Sequence, residues 1–562
     1  MNTILDLRKK SILSVEDAVL INNIEPAVRV EYNNAIEKLI LDNKLSSLSL
    51  LLPVTCRNTI TSPILDTLCR VALVEEKLKN KDIPSVIYVE NQSVADLIEN
   101  VLIRFKLADS VNLKISKSGF VLKNILMNVI KSLYLVMNDW FWFKLMFLKK
   151  RPSESIVYID NFLFTNSFED GKLFYDRYYT GHDKFLSESE KRKEWFAPTI
   201  VGIKSPLDYF KLGKGIRNSE TNFLVQEAWL KTSDFLYSFF ASFFLPLKIR
   251  KYPKFRGLNL KPLLLSELKK NTAAPSLMRA IYRYRFIRRL SKEKVKINGV
   301  IDWSENQIID RAMNLGFKKF YPGVVVHGYQ GFPVLEQFAS LQPTCYEHAL
   351  GTIPDTLYVV SEFSKERMLT VCNKLDVKVA PAFRFSHLFL TQDRREEATK
   401  IVLLALPIVI DEVKSIVEAV IKLALVLPNN VKILLKSHPS YTKEKLEMEV
   451  PQVADPIFEY TNEIMPILLE SASVIISSAS SVAVEAIAVG IPVAIHGNRS
   501  GISFYTIPSC VPEDMWSVFY TSEQLENFVT DALTKKERNC IAEKLFQPVD
   551  KIGTKTLFNF SN

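Results

Sequence analysis

Residues 473–497, SVIISSASSVAVEAIAVGIPVAIHG, read as a buried strand, a serine-rich turn, a short helix and a second buried strand. The first strand runs into Ser477-Ser478-Ala479-Ser480-Ser481, the helix follows at once and stops at Gly490, and Pro492 opens the next strand. Upstream, residues 431–441, VKILLKSHPSY, form another buried strand that ends in Lys436-Ser437-His438-Pro439. Apolar strands that are buried on both faces and linked by helices belong to parallel sheets built from βαβ units.

The same pattern recurs along the chain. Short apolar runs with β-branched residues occur at 48–54, 85–89, 155–160, 199–203, 299–302, 324–327 and 356–360, and again at 401–406, 431–436, 474–477 and 493–496. Two such series fit an α/β protein with two doubly wound, Rossmann-like domains, the seam falling near 380–398. A length of 562 residues allows two large domains. With 48% hydrophobic and 24% charged residues, disorder and collagen-like repeats are excluded. Glycine, at 17 residues, is scarce enough to exclude glycine-rich linkers and propeller repeats. The six cysteines (56, 69, 345, 372, 510, 540) form no CxxC pair, so reduced thiols in a cytosolic protein are expected. The N-terminal stretch MNTILDLRKKSILSVEDAV lacks the apolar region and cleavage site of an export signal.

The net charge of +10 is uneven: residues 248–296 hold 16 Lys/Arg against Glu267 and Glu293, which is +14 there and −4 elsewhere. This block follows FLYSFFASFFLPL, residues 235–247, whose 13 residues are too few to span a bilayer. Residues 121–148 form a second apolar and aromatic stretch, interrupted by Lys123, Lys131, Asp139 and Lys144. Both read as core helices or as segments lying on a membrane surface. An aromatic wedge beside a basic tail favours the surface reading for 235–256. The chain carries no nucleic-acid-binding motif, so an anionic lipid surface, contacted through residues 235–296, is the expected partner of the block.

Ligands of open parallel sheets bind beyond the carboxyl ends of the strands. Serines at such an end, opening a helix, offer hydroxyls and free N–H groups to an anion such as phosphate, and His438, expected at the end of the neighbouring strand, could add a further donor to the same phosphate. The plainer reading makes the serines helix caps and His438 a satisfied loop histidine.

The KSHP strand end followed by the SS strand–helix turn resembles the nucleotide-binding domain of bacterial GT-B glycosyltransferases that use CMP-activated sugars, among them sialyltransferases and Kdo transferases. The resemblance implies a GT-B fold of two domains facing a cleft: an acceptor and catalytic domain over 1–383, with a basic/aromatic membrane-docking insertion near 233–296, and a CMP-sugar-binding domain over 384–562. It implies Lys436, His438, Pro439, Ser477, Ser478, Ser480 and Ser481 as the nucleotide site, with Glu485, one turn into the helix, facing either the ribose or solvent. CDP-glycerol transferases and sugar-nucleotide epimerases share the domain.

Catalytic groups would come from the other domain. Residues 301–333 hold two strand ends, expected at Asp302 and His327, which would present Asp302/Glu305 and His327/Gln330 to one sheet edge. A carboxylate there can deprotonate an acceptor or attack the anomeric carbon, and a histidine can act as base. Each residue also has a structural reading: Asp302 as a helix cap, Glu305 as a first-turn acid, His327 as a buried histidine. ENQ (305–307), HGYQGFP (327–333), Pro343-Thr344 and Glu347 are similar to retaining β-Kdo transferases of capsule and O-antigen assembly, which places a nucleophile at Asp302 or Glu305. Glu169-Asp170-Gly171 matches a weaker acidic motif that carries the base in some sialyltransferases. With no DxD motif and no cluster at metal-ligand spacing, metal-independent chemistry without a cofactor is expected.

The expectation is therefore a bacterial transferase, cytoplasmic and peripheral to the inner face of the membrane. It would move Kdo or a related acidic sugar from a CMP-sugar donor to a lipid-linked glycan acceptor or growing surface polysaccharide. A CDP-glycerol-type phosphotransferase using His327, and a non-catalytic scaffold of polysaccharide assembly, are the alternatives.

Overall fold

The computed structural model describes residues 4–59, 61–116, 121–390, 400–535 and 539–560. Its frame is two six-stranded parallel sheets and a smaller three-stranded one. The small sheet comes first, from β1 (Ile4–Asp6), β2 (Val86–Val89) and β3 (Asn112–Ile115), all parallel. The long helix α1 (Val15–Asp42) packs in its core.

The first large sheet holds β4 (Ile156–Ile159), β5 (Glu194–Phe196), β6 (Ile297–Trp303), β7 (Val325–Gln330), β8 (Thr356–Val359) and β9 (Asp376–Val379), in the order β9-β8-β7-β6-β4-β5. The second holds β10 (Lys400–Ala405), β11 (Val431–Lys436), β12 (Phe458–Tyr460), β13 (Val474–Ser477), β14 (Val493–His496) and β15 (Trp516–Phe519), in the order β12-β11-β10-β13-β14-β15. This is the expected α/β class with two doubly wound sheets.

Local chemistry explains the elements. Every residue of β13 is buried, as a central parallel strand requires. Helix α6 (Ile410–Ala424) turns Val413, Ile416, Val417, Val420 and Leu423 onto one buried face at helical spacing. The other helices that matter for the site are α2 (Val121–Met146), α3 (Thr232–Phe244), α4 (Pro275–Lys292), α5 (Ile308–Phe320), α7 (Ser481–Ala488) and α8 (Lys551–Phe558).

Several expectations are corrected. Residues 48–54 form 3-10 turns rather than a strand: Pro53 has no N–H for a ladder, and Thr55 Oγ1 donates to the carbonyls of Leu50 and Leu52. The run at 199–203 pairs only through Thr199–Ile200, because Gly202 turns the chain at φ +77°. Part of the expected seam, 391–399, lies outside the described residues; 383–389 is a 3-10 helix. Cys345 and Cys372 form a disulfide rather than two free thiols; they flank β8 and the helix after it, which brings their Cα atoms to 5.1 Å.

The basic block is less exposed than its composition suggests. Buried Asp234 of α3 accepts from Arg289 at 2.6 Å and from Arg285 at 2.7 Å. Arg283 is buried against Asp160 and Tyr158, and Arg256 pairs with Glu31 and Glu75. Lys248, Arg250, Lys251 and Lys254 remain exposed and form no ion pair among the described residues. No helix among the described residues is long and apolar enough to cross a membrane.

Finally, the chain returns to the first large sheet. The Leu557 carbonyl lies 2.8 Å from His327 Nδ1, and the Phe560 ring lies over Gly299.

Candidate functional site

The second sheet changes its direction of growth between β10 and β13, and ligands of doubly wound sheets bind at such a switch point. The loop after β10 enters α6 and the serine turn after β13 enters α7, so two helix N-termini flank the crevice.

The serines of this turn divide their work. Ser477 Oγ donates to the Ala405 carbonyl at 3.2 Å, fastening β13 to β10. Ser478 Oγ donates to Glu412 Oε2 at 2.5 Å and accepts from the Ala479 N–H at 2.6 Å. Ser480 is the N-cap of α7, its Oγ accepting from the Val482 N–H at 3.3 Å. Ser481 Oγ donates to Glu485 Oε1 at 2.9 Å, and the other oxygen of Glu485 lies 3.3 Å from His387 Nε2. Helix capping and anion binding are compatible here, since a hydroxyl with a local acceptor can rotate to a bound anion.

His438 is farther from the serines than expected. Strand β10 lies between β11 and β13, so the two motifs sit two strands apart, about 10 Å, rather than on neighbouring strands. The cause is the doubly wound order, which puts the first strand in the middle. His438 Nδ1 accepts from the Ser440 N–H at 3.2 Å, which leaves the ring proton on Nε2, and burial lowers its pKa. The ring is therefore a neutral donor at physiological pH. Lys436 closes β11 opposite Ala405, and Pro439 follows exposed.

The first sheet has its own switch point, between β4 and β6. Asp302 is penultimate in β6 and fully buried, whereas Glu305, just beyond the strand, is only half-buried. Glu305 Oε1 accepts from Trp303 Nε1 at 2.9 Å and Oε2 accepts from Gln307 Nε2. Asp310 Oδ2 accepts from the Glu305 and Gln307 N–H groups, pinning this loop to the start of α5.

The strand expected to end at His327 continues to Gln330, so His327 lies mid-strand opposite Ile301, and only Gln330 reaches the edge. The His327 ring centroid is 4.5 Å from that of Phe560, and burial lowers its pKa. Glu347 is fully buried between Arg57, at 2.6 Å, and Arg311, a structural clamp to the N-terminal segment. Glu169-Asp170-Gly171 is a hairpin tip, with Asp170 at φ +48° and Gly171 at φ +68°.

Residues 383–389 connect the two edges. Arg384 lies 5.7 Å over the Trp303 ring, and His387 reaches Glu485. Sequence reading missed both, along with Glu412, because their neighbours are distant in the chain. The arrangement sets hydroxyl and N–H donors on one sheet edge, a half-buried carboxylate on the other, and a cation beside that carboxylate's loop.

No protein-family model matches the chain, and no curated protein matches it. Solved structures do. The Staphylococcus aureus MnaA–UDP structure is 10% identical, covering 72% of this chain and 95% of its own, at TM-score 0.43. The apo lipopolysaccharide outer core galactosyltransferase WaaB is 12% identical over 72% and 99%, at 0.41. The Methanocaldococcus jannaschii UDP-GlcNAc 2-epimerase bound to UDP-GlcNAc and UDP is 14% identical over 50% and 79%, at 0.35. The fold assignment rests on the strand order described above.

Proposed function

We propose that this protein is a GT-B glycosyltransferase that moves an acidic sugar, Kdo or a relative, from a CMP donor to a lipid-linked glycan at a membrane surface. One observation carries the reading: the helix 383–389 touches both sheet edges, linking Trp303 beside Glu305 to Glu485 beside the serine turn. The CMP phosphate would meet the N-terminus of α7, the Ser478 and Ser481 hydroxyls and the Nε2–H of His438. Glu305 would be the nucleophile or base, since Asp302 is fully buried and Glu305 is not. Arg384 would hold the donor's carboxylate. Domains over 1–383 and 384–562, and transfer with no metal on the donor or acceptor, belong to the same reading.

Nucleotide thermal shift tests it. Stabilisation by CMP or CMP-Kdo but not by CDP or UDP supports the reading; CDP-specific stabilisation would favour glycerophosphate transfer. UDP-specific stabilisation would move the donor to the UDP sugars. No effect from any nucleotide would leave the scaffold reading. The glycerophosphate alternative asks His327 to act as base, and the covering of its ring by Phe560 weighs against that.

Docking would use α2 and α3. Tyr134, Met137, Phe240, Phe244 and Leu247 are all more than half exposed, beside the exposed cations at 248–254. Such a face is costly in water and fits the interface of an anionic bilayer on the cytoplasmic side.

A further inference from the structure

Three carboxyl groups meet at the switch point of the first sheet. Asp160 follows β4, Asp302 is penultimate in β6 and Asp310 lies in the first turn of α5; one oxygen of each lies within 4.8 Å of the others. They are 4%, 0% and 3% exposed. Like charges this close in a low dielectric need a counter-charge or protons. Arg283 supplies one positive charge, its Nη2 3.1 Å from Asp160 Oδ1. If all three acids ionise, two negative charges remain uncompensated.

A neutral neighbour points the same way. Asn314 is 1% exposed and reaches into the group, its Nδ2 3.4 Å from Asp302 Oδ2. Its Oδ1 has no partner, and neither has Asp302 Oδ1. Buried acceptors are rarely left unpaired, and these two, Asn314 Oδ1 and Asp302 Oδ1 at a carboxylate cluster, are matched by a positive charge.

We propose that Asp160, Asp302, Asp310 and, with its amide turned from the orientation described, the Asn314 Oδ1 form an inner site for one hard divalent cation of the Mg2+ or Mn2+ class. Four oxygen donors and a net charge of −2 suit such an ion. Burial raises the pKa values of all three acids, and repulsion from neighbouring carboxylates adds to it at Asp302 and Asp310. The ion would tie β4, β6 and α5 together. Because Asp310 also accepts the Glu305 N–H, the site positions the loop that carries Glu305 without touching substrate. The cation site stands whichever nucleotide the cleft accepts.

The test is a Mn2+ titration of the chelator-stripped full chain, read by electron paramagnetic resonance, with a parallel melting curve. One Mn2+ bound per chain, displaced by Mg2+ and accompanied by a rise in Tm, is expected. Asp302→Asn and Asn314→Leu should weaken binding at least tenfold. Absence of tight Mn2+ binding by the wild type overturns the site, as does unchanged affinity in Asp302→Asn, which would mark surface binding. Should the variants fail to fold, the wild-type stoichiometry and Tm shift still decide. A wild type that binds none while Asp302→Asn melts higher identifies a protonated carboxyl cluster instead.

Discussion

Ser478 Oγ donates a 2.5 Å hydrogen bond to Glu412 Oε2, joining the serine turn after β13 to the first turn of α6. The serine expected to bind phosphate is therefore already held by a carboxylate. Burial pushes the Glu412 carboxyl above its ordinary range, and the bond from Ser478 pulls it partly back. A bound anion must compete with that carboxylate, which sets the pH behaviour of the site. At low pH Glu412 is protonated and the crevice less negative; as pH rises through its raised pKa the repulsion appears. CMP affinity should therefore fall with rising pH. Glu412→Gln should bind about tenfold tighter at pH 8, with a flatter profile. Calorimetry across pH checks this, and an unchanged slope in the variant would exclude Glu412 as the cause.

Glu305 is the catalytic carboxylate of the proposed reaction. Glu305→Gln is nearly isosteric and removes the charge; its amide oxygen keeps the bond from Trp303, and Gln307 meets the new Nε2 by turning its own amide. Donor-induced thermal stabilisation should persist while transfer falls by about 10²–10⁴. Wild-type turnover in this variant refutes the assignment.

Phe558 anchors the returning C-terminal helix. Its ring stacks on His182 at 4.6 Å and meets Tyr179 and Phe383 edge-on. Phe558→Ala should cost about 3 kcal/mol of stability. Protease cleavage should appear within 546–562 before the rest of the chain unfolds; simultaneous loss of both would show that the helix is integral to global folding rather than a docked clasp.

The Cys345–Cys372 disulfide closes a loop with a sequence separation of 27, worth about 3.5 kcal/mol on chain entropy. Alkylation of unfolded protein without reductant should label four thiols, at 56, 69, 510 and 540, and six after reduction. Six labels without reductant would show that the bond is not kept.

What the sequence revealed was local. Strand β13, its turn and α7 are contiguous, and their periodicity and punctuation are complete within 25 residues, 473–497. Strand order is non-local: nothing in VKILLKSHPSY says that β10 will separate it from the serines. The same holds for Asp160, Asp302 and Asp310, which only the sheet brings within 4.8 Å. Composition misled in one place, because the cations at 283, 285 and 289 are consumed by buried Asp160 and Asp234. Charge counts do not distinguish a solvated lysine from an arginine neutralised inside the core.

That distinction decides how the docking face should be tested. Helices α2 and α3 pack together, with Trp140 Nε1 donating to Thr232 Oγ1 at 3.1 Å, and both carry exposed apolar side chains. Reversing Arg285 or Arg289 would set a like charge against buried Asp234 and destabilise the region rather than report on lipid. The informative change is Lys248, Arg250, Lys251 and Lys254 to Glu. At about 1 kcal/mol per cation near an anionic surface, it should weaken binding to phosphatidylglycerol vesicles a hundredfold or more, and raised salt should mimic the effect. Tyr134→Asp with Phe240→Asp should abolish binding at any salt, because the apolar contact is not screened. CMP affinity should be unchanged in both sets, since neither touches the second sheet. Vesicle co-sedimentation reads all three outcomes. Binding by the Tyr134/Phe240 double variant equal to wild type would remove α2 and α3 from the membrane contact.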